Sequence, residues 1–217
     1  MRILTANVLH VHADPAAFGA TLDRERPDVV ALQELGTAVA AEVRSRYDHV
    51  LLDATDDPRG MGIASAAPAT FERLPLPHTD GWRAMVDGGP EVLSVHVHNP
   101  VDVPPVEANR HRRAQVAALV AHVGATTHPM VIAGDLNATP AWPAYRRLTA
   151  HLDDAVVQAV GARAAAGLRT WGPRILRGTK ILRIDHVLVR AFEGRTARVV
   201  PIAGSDHAAV VVDLEAS

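Results

Sequence analysis

Six short stretches of the 217-residue chain set a carboxylate, an amide or an imidazole at or beside the end of an apolar run. They are Thr5-Ala6-Asn7, Leu32-Gln33-Glu34, Val95-His96, Gly134-Asp135-Leu136-Asn137, Arg183-Ile184-Asp185-His186 and Ser205-Asp206-His207. Charge beside buried aliphatics is costly unless it is paired, liganded or at an edge. Strand ends that share one rim of a sheet bring such groups together. Glu34 and Asp206 with the Asn7 amide would make an oxygen-rich pocket suited to a hard cation, Mg²⁺ or Mn²⁺. Zinc fits less well, because the chain has no cysteine and oxygen donors dominate. Within Gly134-Asp135-Leu136-Asn137, alternation along an extended segment points Asp135 and Asn137 the same way, so both could face one ligand. Taken alone, that stretch reads more readily as a strand followed by an Asx-type turn.

The elements that must carry these groups are mostly strands. Arg2 to Leu9 alternates as one, and Asp28 to Glu34 is a near-continuous apolar run of the kind covered on both faces. Glu91 to His98 predicts a third, with His96 and His98 on one face and Asn99-Pro100 ending it. Met130 to Ala133, Ile184 to Val189, Val199 to Ile202 and Ala208 to Leu214 complete the set, with shorter strands between Val50 and Leu76. Asp14-Pro15 predicts a capped helix with Phe18 and Leu22 inward, ending at Arg26-Pro27. Thr37 is expected to cap a second helix. Val116, Leu119, Val120 and Val123 keep helical spacing, with Arg110, His111, Arg112 and Arg113 on the opposite face. Trp142, Tyr145 and Leu148 suggest a short helix, and residues 161 to 183 read as irregular and basic.

Length and composition bound the function classes. The chain is long enough for one sizeable core and nothing divides it, so residues 1 to 217 are expected to form a single domain. No run approaches the roughly 18 apolar residues of a bilayer helix, and no signal-peptide core precedes the first strand, which implies a cytoplasmic protein unless an anchor has been removed. The formal net charge of -2 argues mildly against extended nucleic-acid binding. No obligate partner is signalled, and a monomer is expected.

In their order along the chain, the six stretches resemble the endonuclease/exonuclease/phosphatase family, which includes DNase I-like nucleases, abasic-site endonucleases, inositol phosphatases and sphingomyelinases. The resemblance implies an α/β fold, a four-layer sandwich of two mostly antiparallel sheets packed face to face with helices on the outer faces. It also implies roles for individual residues. Glu34 matches the main metal carboxylate, with Asn7 beside it and Asp206 completing the metal shell. His207 matches the catalytic histidine and Asp185 its orienting carboxylate. Asp135 matches the group that aligns or activates the attacking water, and Asn137 and His96 match groups that hold phosphate oxygens or assist the leaving group. Val95 departs from the family's usual Thr or Asn, and His98 is an added imidazole.

The activity implied is divalent-metal-dependent hydrolysis of a phosphate ester or diphosphate, of a small or lipid-linked substrate. Arg169, Arg174, Arg177, Lys180 and Arg183 would receive extra phosphate charge. A DNA or RNA nuclease is the alternative within the family, less favoured because the chain is short and acidic. A scaffold that has lost catalysis is the alternative of another class, and every matched position holds a competent residue.

Overall fold

The computed structural model describes residues 1–100 and 104–217. Strand β1 (Arg2–His10) leads to helix α1 (Pro15–Glu25), β2 (Val29–Leu35), α2 (Thr37–Arg44), β3 (His49–Asp53) and β4 (Met61–Ser65). Strands β5 (Ala69–Leu74), β6 (Gly81–Val86) and β7 (Glu91–His96) precede α3 (Pro105–Gly124), β8 (Met130–Asp135) and α4 (Pro143–Leu148). The short β9 (Asp153–Asp154), helices α5 (Ala155–Val160) and α6 (Ala162–Ala165), and a single 3-10 turn at Arg174–Leu176 follow. Strands β10 (Asp185–Arg190), β11 (Phe192–Pro201) and β12 (Ala208–Ala216) close the chain.

The strands form two six-stranded sheets, ordered β11-β12-β1-β2-β4-β3 and β5-β6-β7-β8-β10-β9. Among the described residues the pairs β1/β2 and β7/β8 are parallel and the rest antiparallel. Alternation sorts the side chains into layers. Ile3, Val29, Ala31, Ile63, Val92, Val131, Ala133, Val187, Val210 and Val212 fill the space between the sheets. Leu4, Val30, Leu32 and Val211 face the other way, under Phe18 and Leu22 of α1 and Val39 and Val43 of α2. Leu93, Val95, Ile132 and Leu188 face Val116, Leu119 and Val123 of α3 and Leu148 of α4. Each fully buried aliphatic is worth about 1.5–3 kcal/mol, so three such layers make the sandwich the dominant source of stability.

Local signals explain most element ends. Asp14 accepts from the Ala17 N–H at 3.0 Å and Pro15 opens α1, while Arg26 closes it in the left-handed conformation. Thr37 is the first residue of α2 and not its cap; Gly36 holds that place, and Thr37 donates to Asp56 at 3.1 Å instead. Strand β7 stops at His96, so His98 lies beyond it and packs edge-on against His111. Arg112 is buried where an exposed face was expected, and α5 and α6 precede and enter the stretch read as irregular. Among the described residues no helix is long and apolar enough to cross a membrane.

Candidate active site

The same alternation that builds the inner layer carries polar residues at one end of it. Ile3, Thr5 and Asn7 continue one inner row, Val29, Ala31 and Gln33 a second, Val131, Ala133 and Asp135 a third, and Val189, Val187 and Asp185 a fourth. The polar ends of four strands from two sheets therefore converge. Gln33 links the sheets directly beneath: its Nε2 donates to Ser94 Oγ at 3.2 Å, and Thr5 Oγ1 donates to its Oε1 at 3.3 Å. Gly134 lets β7 and β8 approach here, since a Cβ on it would sit 1.9 Å from the Val95 carbonyl oxygen.

Asn7 is the hinge between the halves. Its amide nitrogen donates to Glu34 Oε1 at 3.0 Å and to Asp135 Oδ2 at 3.2 Å, while its oxygen accepts from the Leu9 N–H at 3.1 Å. That last bond fixes which way the amide is turned. Asp135 Oδ1 accepts from the Asn137 N–H at 2.7 Å, and the Asn137 side chain donates to the Val97 carbonyl at 2.9 Å. His207 Nδ1 lies 3.0 Å from Asp185 Oδ2, which leaves its Nε2 3.7 Å from Asp135 Oδ2. His96 Nε2 stands 3.7 Å from Asp135 Oδ2 and 4.0 Å from Glu34 Oε1. Asp206 Oδ2 accepts from the Trp171 indole at 3.1 Å, and its Oδ1 is buried with no hydrogen-bond partner among the described residues.

Glu34, His96, Asp135, Asn137, Asp206 and His207 line one cavity of about 400 Å³, walled by Trp142, Trp171, Leu182 and Ile184. Asp185 and Asn7 lie fully buried behind it. The backbone is strained around this cavity. Leu9, His10, Glu34 and Asn137 all adopt positive φ, at 52°, 43°, 49° and 47°. Each such non-glycine residue costs of order 1–3 kcal/mol, and clusters of them mark sites where geometry is held for function. For Glu34 the departure also breaks the alternation of β2 and turns its carboxylate toward the cavity.

Charge is concentrated. Burial and the neighbouring Asp185 carboxylate push Asp135 up to about 7, against the lowering effect of His207 and the bonds from Asn137 and Asn7. Burial alone would lower His207, but Asp185, Asp135 and Asp206 hold it up at about 9. The two groups are close enough to titrate as a unit. Asp135, Asp185 and His207 each offer a ligand atom within 4.8 Å of the others, a grouping able to hold a metal ion.

Two residues near the cavity have places the sequence does not foresee: His10 is given no role, and Arg112 reads as part of an exposed basic helix face able to contact phosphates. His10 lies 3.9 Å from Glu34 Oε2 and lines the cavity; nothing in its sequence surroundings separates it from the other histidines. Arg112 donates to the carbonyls of His98 at 2.7 Å and Asn137 at 2.9 Å, bracing the Asp135-Asn137 turn from α3. Arg183, expected to meet phosphate, is instead buried against Asp154 at 2.9 Å. Val101, Asp102 and Val103 of the proline-rich loop lie outside the described residues.

The family model for the Endonuclease/Exonuclease/phosphatase family matches residues 4–207. Among solved structures, the chain superposes on a 3′ phosphatase, NExo, from Neisseria bound to product DNA hairpin, with TM-score 0.75 and 22% identity over 99% of each chain. An AP endonuclease from Archaeoglobus fulgidus gives 0.75 and 17% over 99% of each. An endonuclease/exonuclease/phosphatase from Beutenbergia cavernae gives 0.73 and 24% over 100% of this chain and 72% of that one. At these identities the likeness is one of fold. No curated protein matches.

Proposed function

The chain belongs to the endonuclease/exonuclease/phosphatase family, and on that premise we propose that it hydrolyses a phosphate ester or diphosphate of a small or lipid-linked substrate with a bound divalent cation. The observation that carries this reading is the convergence of Glu34, Asp135, Asp206 and a carboxylate-held His207 on one cavity. A cavity of about 400 Å³ suits a phosphorylated head group entering end-on.

The donor set fits the cation. Three carboxylates, Asp185, Asp135 and Asp206, crowd His207, one of them bearing a buried oxygen with no hydrogen-bond partner among the described residues, and an anionic phosphate would be repelled unless a cation offset them. Glu34 and Asp206 would hold Mg²⁺ or Mn²⁺. Bound there, the ion supplies charge stabilisation to the phosphate oxygens. Asp135, Asp185 and His207 are assigned to proton handling, because Asp185 already takes the Nδ1 side of His207. Asn7 is assigned to positioning, since its amide nitrogen faces both Glu34 and Asp135.

Asp185 accepts from His207 Nδ1, which fixes the angle of the ring and leaves the Nε2 N–H for the substrate. With its affinity for a proton raised, His207 is an imidazolium near neutrality and stabilises negative charge on the phosphate. Asp135, raised to about 7, is matched to accept the proton of an attacking water at neutral pH. The Asn137 backbone N–H holds Asp135 Oδ1 from behind, and His96 faces the other carboxylate oxygen, Oδ2.

A nuclease is the second reading, supported by the DNA-bound 3′ phosphatase and the AP endonuclease among the similar structures and by one feature of this chain. A groove of about 500 Å³ shares Pro100 and Trp142 with the cavity, and Arg113 and Arg147 line it. A partly exposed indole in a groove that guanidinium groups also line is the chemistry of a base-stacking, phosphate-contacting track. One screen separates the readings: nicked plasmid, single-stranded oligonucleotide, inositol phosphates and a polyprenyl diphosphate under one Mg²⁺ condition. Release of inorganic phosphate with intact nucleic acid supports the first reading. Cleavage of nucleic acid with a steep salt dependence supports the second. Activity on none of them rejects both.

A further inference from the structure

The segment between Trp171 and Leu182 is a hairpin rooted in the cavity wall. Trp171 N–H donates to the Leu182 carbonyl at 2.9 Å and Leu182 N–H returns a bond to the Trp171 carbonyl at 3.0 Å. Both residues line the cavity, and the Trp171 indole holds Asp206. Further out, the Leu176 N–H bonds the Pro173 carbonyl at 2.8 Å and the Thr179 N–H bonds the Leu176 carbonyl at 3.0 Å, so the tip is an ordered turn.

What this tip presents is unusual for a soluble surface. Ile175 is 85% exposed, Leu176 40% and Ile181 38%, so this one hairpin carries three of the six large exposed apolar side chains among the described residues, two at its tip and Ile181 on the returning limb, where its N–H bonds the Trp171 carbonyl at 2.7 Å. Arg174, Arg177 and Lys180 are interleaved with them, and no acidic residue lies between Trp171 and Ile184, although the chain as a whole carries a net charge of -2. Aliphatic side chains projecting from a cationic rim match the boundary between acyl chains and anionic head groups. They do not match a nucleic-acid backbone, which would leave Ile175 and Leu176 in water and which stacks its bases on aromatic rings. The tip carries no aromatic residue beyond Trp171 at its base.

We propose that this hairpin docks the protein on an anionic membrane surface, with Ile175, Leu176 and Ile181 entering the interface and Arg174, Arg177 and Lys180 at head-group level. The cavity mouth is then held beside the lipid heads. Arg174 and Lys180 also line a smaller recess of about 300 Å³ that reaches Asp206, so cationic side chains run from the membrane-facing tip toward the site. Capture of a phosphorylated lipid there rests on the phosphoesterase reading of the cavity, whereas docking itself does not.

The test is co-sedimentation of the full chain with phosphatidylcholine vesicles and with vesicles in which about a third of the lipid is phosphatidylglycerol. Hydrolysis of soluble bis-p-nitrophenyl phosphate with Mg²⁺ is followed in parallel. Binding to the anionic vesicles should exceed binding to the neutral ones by about tenfold or more and fall at high salt. The double variant Ile175→Ser with Leu176→Ser should lose about tenfold of that binding while its hydrolysis of the soluble ester stays unchanged. Soluble hydrolysis without vesicle binding, or vesicle binding indifferent to the double variant, overturns the docking proposal and leaves the phosphoesterase reading standing. Vesicle binding that follows the variant, without hydrolysis of any ester, upholds docking and rejects that reading. Tip variants that weaken binding of a single-stranded oligonucleotide, with vesicles unbound, would assign the hairpin to nucleic acid and reject a membrane role.

Discussion

Asp154 should be the most costly single surface-remote carboxylate to remove. Its side chain and that of Arg183 are each 4% exposed and lie 2.9 Å apart. The carboxylate also accepts from Tyr145 Oη at 2.8 Å and from the Val156 and Val157 N–H groups at 2.9 and 3.1 Å, capping α5. Arg183 Nε and Nη1 have no partner among the described residues, so Asp154→Ala leaves a buried guanidinium without its ion pair. Breaking such a pair costs about 3–5 kcal/mol. With an unfolding entropy of about 2.1 cal/mol/K per residue, that lowers Tm by roughly 6–12 °C. Thermal unfolding at neutral pH measures it directly. The acid limb adds a second check. Burial would raise the Asp154 carboxyl, but His186 and Arg183 hold it well below the usual carboxylate range. Its contribution is therefore present above the unfolded value of about 3.9 and is lost as pH falls further. The gap between the native chain and Asp154→Asn should narrow below about pH 4. A Tm change under about 2 °C, or a gap that widens in acid, would refute the assignment of the pair as a structural support.

Three further outcomes follow from the same geometry. Gly134→Ala drives a methyl into the Val95 carbonyl and should cost about 1–3 kcal/mol in urea denaturation, with activity falling as β7 and β8 separate His96 from Asp135. Asp185→Asn keeps the shape of the dyad but not its charge, and should lower kcat by about 10²–10⁴ with the fold intact by circular dichroism. Asn7→Ala removes the bridge between Glu34 and Asp135 and should raise the Mg²⁺ concentration for half-maximal activity by about tenfold or more, read from a metal titration.

The strands that carry Asn7, Glu34, Asp135 and Asp185 were legible as apolar runs with a polar residue at or beside one end, whereas their layering was implied by the family resemblance; in the fold the inner rows end in Asn7, Gln33, Asp135 and Asp185 on one rim. Glu34 was legible by type and place but not by direction, since only its positive φ turns it into the cavity. Asn137 lines the same cavity as Asp135, as its spacing suggested, but it does so through a left-handed backbone and not by simple extension, with its amide donating to the Val97 carbonyl. Arg112 and Arg183 were misread for one reason. A sequence shows an arginine's charge but not the buried carbonyls or carboxylate that satisfy it, and both found such partners across the fold. The opposite error hid His10, whose place at Glu34 depends on an irregularity where β1 leaves register with β2.

In the proposed function Glu34 and His207 act in one metal-dependent hydrolytic site. The most direct measurement is initial-rate hydrolysis of bis-p-nitrophenyl phosphate by the purified chain and by Glu34→Gln and His207→Ala, each with Mg²⁺ and with excess EDTA. Turnover is expected of the native chain in Mg²⁺ alone, with a loss of at least about 10²-fold in either variant and folding unchanged. Full activity in EDTA, or in either variant, would contradict it.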